Sequence, residues 1–300
     1  MIVNGENLRA AARGFRTLFV DALGKAQPMY QELATEVPST NSEENYAWLE
    51  ALPRVREWLG DRVVHNLKGA GYSIRNRKFE CTIGVKREEI EDDALGIVRP
   101  RIEMMAADMA MHPDDLLDEL LKGAFTATCF DGQYFIDTDH PVGGVGDQAV
   151  ASVSNKGTGV LTPDNYGLAR AGMIGLTDAS GRPVRVNPGI LAVPPQLEGA
   201  ARRIVEGELI EGETNIWKGT ATVKVLPGLA GHPTWWFLFD ASKPIKPFIV
   251  QIREKPEFTA LDRPDDEAAF MRDEFLFGTR ARHNAGYGLW QLAFGSTGGA

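Results

Sequence analysis

Cysteine is scarce: 300 residues carry two, Cys81 and Cys129, and no CxxC pair. Two isolated thiols cannot build a disulfide scaffold or a zinc ribbon, so both read as small buried apolar groups in a reducing compartment. Long apolar runs are missing too; none approaches the ~20 residues a membrane helix needs. Met1–Glu6 has no signal-peptide pattern. The chain is therefore expected in the cytoplasm until it is assembled. Basic charge is in deficit, with 32 Lys and Arg against 41 Asp and Glu and a formal net charge of −9. That excludes a nonspecific nucleic-acid coat, so a surface facing DNA should avoid tight phosphate binding. No GxGxxG, Walker, HExxH or GxSxG motif occurs, and no internal repeat.

What is present is a soluble composition, 43% hydrophobic and 24% charged, long enough for one large or two modest domains. Asn7–Leu23 has helical spacing, with Leu8, Ala11, Ala12, Phe15, Leu18 and Phe19 on one side. Residues 32–40 read as a flexible connection, and Asn41–Asn45 as the start of a second helix through Tyr46, Trp48 and Leu49. Arg54, Arg56 and Arg62 flank Trp58, either as a solvated turn or as a contact with an acidic neighbour.

The organising stretch is 59–125. A polar, basic, strand-like arm runs over Gly60–Gly71 and returns through Tyr72–Val85, where Phe79, Cys81, Ile83 and Val85 alternate with polar residues. Isolated hairpins are marginal in water, and open edges invite another chain. The arm is therefore expected to be completed by a neighbouring subunit. An acidic run, Glu88, Glu89, Glu91, Asp92 and Asp93, leads into a helical pattern that Gly96 and Pro100 should break. Met104, Met105, Met109 and Met111 read as core filling. His112-Pro113-Asp114-Asp115 reads as a fresh helix start, with Leu116, Leu117, Leu120, Leu121 and Ala124 as its buried stripe.

Cys129–Ile136 reads as a short hairpin with an Asp-Gly turn. Asp137, Asp139 and His140 group two carboxylates with an imidazole, a pattern that suits a metal or, equally, a turn before Pro141. Residues 143–159 read as a mobile Gly-rich loop. Thr162-Pro163 caps a helix carrying Tyr166, Ala169, Met173 and Ile174. Gly181-Arg182-Pro183 is a turn, and Ile190–Val193 is a buried strand that Pro194-Pro195 ends before a short helix. Strands follow over 217–225, 234–239 and 248–253, with Trp235 and Trp236 in core or interface. Residues 254–272 read as an acidic loop, and a closing hairpin turns at Asn284-Ala285-Gly286 and returns through Trp290, Leu292 and Phe294, with a tail that frays from Gly295. The histidines at 65, 112, 140, 232 and 283 are scattered, and none is read as catalytic.

These segments, taken in order, resemble the Mu-like prophage major head subunit family of tailed-phage capsid proteins. The residues carrying the resemblance are Trp58–Arg62, Phe79-Glu80, Val85–Asp93, Phe130–Gly132 with His140-Pro141, and Leu191–Pro195. Phe270–Glu274, Gly278, Arg280–Arg282, Asn284–Gly286 and Trp290 complete it. The resemblance implies an α+β Hong Kong 97-type fold. It implies an N-terminal arm over 1–57, an extended E-loop over 58–88 and a peripheral domain with a spine helix over 89–149. An axial domain over 150–244 and peripheral return strands over 245–300 complete the scheme. It implies an icosahedral shell of pentamers and hexamers enclosing phage DNA, no catalysis and no cofactor, with scaffolding protein, maturation protease, portal and a decoration protein as partners. Contact between copies is expected from Arg62, Lys68, Arg75, Arg77 and Lys78 to Glu88, Glu89, Glu91, Asp92 and Asp93. The rival readings are a metal-dependent hydrolase using Asp137, Asp139 and His140, which would carry stoichiometric metal, and a binding module that stays monomeric.

Overall fold

A computed structural model describes residues 5–46, 49, 71–92, 95–142, 151–178, 181–210 and 212–299. The chain opens with α1 (Gly5–Lys25), α2 (Tyr30–Leu33) and strands β1 (Ala34–Pro38) and β2 (Glu43–Asn45). Then come β3 (Ser73–Arg75), β4 (Arg77–Lys86), α3 (Arg87–Glu91) and α4 (Leu95–Gly123). Short strands β5 (His140–Val142), β6 (Ala151–Val153) and β7 (Lys156–Gly157) lead to α5 (Pro163–Ile174), β8 (Ile190–Val193) and α6 (Glu198–Val205). After β9 (Leu209–Ile210), β10 (Glu213–Thr214), β11 (Thr222–Val225) and β12 (Trp236–Phe239), the chain ends with β13 (Phe248–Leu261), α7 (Glu267–Arg272), β14 (Glu274–Tyr287) and β15 (Ala293–Ser296).

Two sheets carry the fold. One has the order β1-β13-β14-β4, the other β11-β8-β12-β15-β7. In the first, β13 and β14 pair antiparallel along most of their length and β4 pairs antiparallel with β14 over ten positions. Leu8, Phe15 and Phe19 of α1 pack there with Val98 and Ile102 of α4 and Phe258, Phe275 and Phe277 of the strands. The helix face expected over 7–23 is therefore the one that is buried. In the second sheet all four residues of β8 are buried, as the apolar run predicts. Thr162 caps α5 as expected, its hydroxyl accepting the Asn165 N–H at 3.2 Å.

Several expectations are corrected. Residues 32–40 are not a flexible connection: β1 pairs parallel with β13, and Pro38 is tolerated because it closes an edge strand. Asn41–Asn45 does not start a helix. The Glu44 carboxylate instead accepts N–H groups from Thr40 and Asn41 (2.9 and 3.0 Å) and the Ser39 hydroxyl (3.0 Å), and β2 pairs with β3. The backbone donors of Asn41 and Thr40 hold that carboxyl down at about 2. Residues 254–272 are the continuation of β13 and then α7, not a loop. Asn284-Ala285-Gly286 does not turn, because β14 runs through it and pairs with β13. A Cβ on Gly286 would meet Ile74 Cδ1 at 2.5 Å and Tyr72 Oη at 2.8 Å, so this glycine serves close approach rather than reversal. β14 and β15 therefore do not form the expected closing hairpin. β15 pairs with β12 and β7 in the other sheet, and Ser296 is fully buried rather than frayed. The Gly-rich stretch expected to be a loop contains β6 and β7; its residues 143–150 lie outside the described residues.

Helix α4 is also one element, not two. It spans 29 residues through Pro100 and Pro113. A proline inside a helix costs roughly 3 kcal/mol, but one stripe of Val98, Ile102, Met105, Met109, Leu116, Leu117 and Leu121 is buried along its length. At ~1.5–3 kcal/mol for each large side chain removed from water, that packing outweighs both interruptions. Met105 and Met109 fill the core as expected, whereas Met104 and Met111 are exposed. Asp114 does not cap its own helix. Its carboxylate accepts the Met29 and Tyr30 N–H groups (2.9 and 2.6 Å) and so caps α2.

Candidate assembly surface

The root of the arm is built by tyrosines. The Tyr46 N–H donates to the Tyr72 carbonyl at 2.8 Å, which joins the two described ends of this stretch. Tyr46 Oη donates to Gln251 Oε1 (2.8 Å), and Gln251 Nε2 donates to the Ile74 carbonyl (3.1 Å). Tyr72 Oη accepts the Tyr287 N–H at 2.5 Å, and burial pushes its phenol above the usual range. The expected outgoing strand, with Arg62 and Lys68, lies outside the described residues, as do Arg54, Arg56, Trp58 and Asp93. The return strand corrects one inference. β4 does not wait for a neighbour on both sides, because β14 of the same chain pairs it, and only its other edge is open among the described residues.

Charge is segregated along β4. Arg75, Arg77 and Lys78 are exposed just before and at the start of β4, and beyond Lys86 and Arg87 at its other end come Glu88, Glu89 and Glu91 of α3 and then Asp92. At ~3.3 Å per residue the two ends are about 30 Å apart, so they cannot neutralise each other within one chain. Arg77 does have a partner of its own, with Nη1 3.2 Å from Glu119 Oε2 and its guanidinium over the Phe79 ring at 5.2 Å. Glu89 turns back to accept the Lys86 N–H (3.2 Å), and Arg87 Nε donates to Asp273 Oδ1 at 2.6 Å. Glu88 and Asp92 are exposed.

Phe79 also covers a joint that the sequence did not reveal. His112 of α4 and His283 of β14 meet at 2.9 Å between Nδ1 and Nε2, and the Phe79 ring lies 4.0 and 4.8 Å from theirs. Burial, then the neighbouring His112 and Arg77, hold the His283 imidazole down at about 4. Burial likewise lowers His112.

Asp137, Asp139 and His140 do not converge on a metal site. Asp137 accepts the N–H groups of Tyr134 (3.1 Å) and Thr138 (2.8 Å), and Asp139 is exposed. His140 is fully buried, stacks on Trp290 at 3.9 Å, and shares its Nδ1 with Asp131 Oδ2 at 2.7 Å. The Cys129 thiol donates to the other Asp131 oxygen at 3.0 Å. Burial pushes the Asp131 carboxyl up, but the His140 and Cys129 hydrogen bonds more than offset it and hold it low. Burial raises the Cys129 thiol. The thiol and the imidazole both bind the Asp131 carboxylate and so brace the Asp131-Gly132 turn, while His140 Nε2 is buried without a hydrogen-bond partner among the described residues. The Asp-Gly dipeptide marked that turn, and Gly132 has the positive φ it needs; that Asp131 would join Cys129 and His140 was not legible.

A long sheet with a charged edge strand, a 29-residue helix against it and a second compact sheet define a shell-forming capsid subunit of the Hong Kong 97 type. The sequence matches the family described as Mu-like prophage major head subunit gpT over residues 8–163, 158–229 and 228–299, and the chain belongs to that family. It is 31% identical over 293 residues to the major capsid protein of Escherichia phage Mu, covering 98% of this chain and 74% of that one. It is 30% identical to the Mu-like prophage FluMu major head subunit of Haemophilus influenzae, covering 97% and 73%. The structure is similar to a subunit of the procapsid of bacteriophage JBD30, with TM-score 0.65, 33% identity and coverage of 98% of this chain and 76% of that one. The chain is thus a structural major head protein, and its place is the virion shell. The hydrolase and monomeric-module readings find no support. No helix among the described residues is long and apolar enough to cross a membrane.

Proposed function

We propose that copies of this chain close into an icosahedral shell of pentamers and hexamers around phage DNA. In this reading the basic end of β4 lies over the acidic α3 of the next copy. The single observation that supports it is the charge segregation along β4: the two ends lie too far apart to pair in one chain and are complementary between two. Head-to-tail contacts of this kind close rings. Arg75, Arg77 and Lys78 are the basic side; Glu88, Glu89, Glu91, Asp92 and Asp93 are the acidic side; Arg62 and Lys68 extend the basic side along the arm. Exposed ion pairs contribute at most ~1 kcal/mol each, so they set register while apolar contacts supply affinity.

The β1-β13-β14-β4 sheet with α1 and α4 serves as the peripheral domain, and the β11-β8-β12-β15-β7 sheet with α5 and α6 as the axial domain at capsomer centres. The arm rooted at Tyr46 and Tyr72 is the E-loop. Scaffolding protein, protease, portal and a decoration protein come from other chains, and this chain performs no catalysis. With a net charge of −9 it holds packaged DNA only weakly. Reversing Arg75, Arg77 and Lys78 to Glu tests the contact. Particle yield is expected to collapse and to recover when Glu88, Glu91 and Asp92 are reversed to Lys in the same chain. Unchanged yield from the first variant overturns the contact.

A further inference from the structure

Helix α4 buries one face against the long sheet and α1, and a second apolar stripe runs down its opposite face. Ile97, Pro100, Met104, Ala107 and Met111 recur at alternating spacings of three and four, the a/d seam of a heptad pattern. All five are exposed, Ile97 and Met104 by 69% and 72%. The core is served by Val98, Ile102, Met105 and Met109 on the other side, so among the described residues the seam is left out of the core. An apolar stripe at helical spacing on the solvent face is the surface that another helix covers.

Charge selects which helix. Arg101 and Asp108 both occupy the e position flanking the seam. Arg101 is held there by an Nη2 hydrogen bond to the Gly84 carbonyl at 3.1 Å and has Nη1 4.0 Å from Glu89 Oε2 of its own chain, at the limit of an ion pair, whereas Asp108 is exposed and enters no ion pair among the described residues. When two identical helices lie antiparallel and cross at Met104, Ile97 meets Met111 of the other copy and e faces e. Arg101 of each then lies beside Asp108 of the other, twice, by symmetry. A self-complementary patch of this kind defines a two-fold contact.

We propose that the outward seam of α4 docks antiparallel on the α4 seam of a second copy across a two-fold axis of the shell, with Met104 at the axis. The inference rests on the shell reading above, but the contact is separate from that of β4 with α3.

Cysteine cross-linking tests it in purified particles of the full chain. At the axis a Met104→Cys side chain meets its own copy within the 4.4–6.8 Å Cα separation a disulfide needs. Most Met104→Cys chains should run at twice the 32.8 kDa chain mass on non-reducing gels. Ile97→Cys alone should stay single, because its partner is Met111, and the Ile97→Cys/Met111→Cys chain should link. The wild type controls for Cys81 and Cys129. Independently, Arg101→Asp should lower particle yield severalfold, and adding Asp108→Arg should restore it. Normal shells with unlinked Met104→Cys, the result expected if a helix of a different protein covers the seam, overturn the inference and leave the shell reading intact. Linking by Ile97→Cys alone also overturns it, because it signals parallel pairing. Failure of the unsubstituted chain to form any particle removes both.

Discussion

Substituting His283 should flatten part of the acid response of the subunit. His283 is almost fully buried, 2.9 Å from His112, with Arg77 nearby, and its imidazole titrates at about 4 in the fold. In the unfolded chain it titrates near ~6.5. Between these values the unfolded chain binds a proton that the folded chain refuses. The stability contributed by the neutral joint is therefore complete above the unfolded value and is lost as pH falls towards the folded one. Each pH unit of that window is worth ~1.4 kcal/mol, so about 2 kcal/mol disappears between pH 6.5 and pH 5. Other groups contribute in the same range: Asp115, Asp108 and Glu119 favour protonated His112, and Asp118 responds in the opposite sense. The informative quantity is thus a difference of differences. Thermal melts of unassembled wild type and His283→Gln at pH 7 and pH 5 should show the wild type losing about 2 kcal/mol more than the variant, roughly 4 °C in Tm. Equal losses in both proteins would refute a buried neutral imidazole at this joint.

Other perturbations have equally definite outcomes. Burial raises the Asp118 carboxyl to about 6, so its unfavourable charge is felt only as pH rises past the unfolded carboxylate range. Asp118→Asn should therefore raise Tm at pH 7, by about 2 kcal/mol of stability, and change little at pH 3.5. Leu117 is fully buried in α4, and Leu117→Ala should cost ~2–5 kcal/mol in urea unfolding of the unassembled chain. Met104→Ala, on the exposed face of the same helix, should stay within ~0.5 kcal/mol. Gly286→Ala should push Ile74 and Tyr72 off β14, costing ~1–3 kcal/mol and making the arm root sensitive to protease. A Gly286→Ala chain as resistant as wild type would show that the root is not held there.

The sequence made the strongly periodic elements legible. The buried face of α1, the alternation of β4, the Thr162 cap and the β8 run are local patterns, and the structure uses them as local patterns. The misreadings share one cause, in that a local signal was overruled by packing from far along the chain. Pro100, Pro113 and Asn284–Gly286 look like punctuation, yet a continuous buried stripe carries α4 through both prolines and the pairing with β13 carries β14 through the glycine. Met104 and Met105 look alike in composition, but one is exposed and the other buried on the same helix, which only the unbroken helix decides. The rival metal reading of Asp137, Asp139 and His140 fails for a related reason. His140 chose Asp131, nine residues back, over the carboxylates beside it. That the charges on either side of β4 sit at opposite ends of one docked strand required the sheet register.

Zero-length carbodiimide cross-linking of particles assembled from an equal mixture of isotopically heavy and light chains tests the central claim most directly. The account predicts hybrid heavy–light links from Lys78 to Glu88, Glu91 or Asp92, since about 30 Å of strand at ~3.3 Å per residue bars that link within one chain. Shells that form normally yet yield no such hybrid link would contradict it.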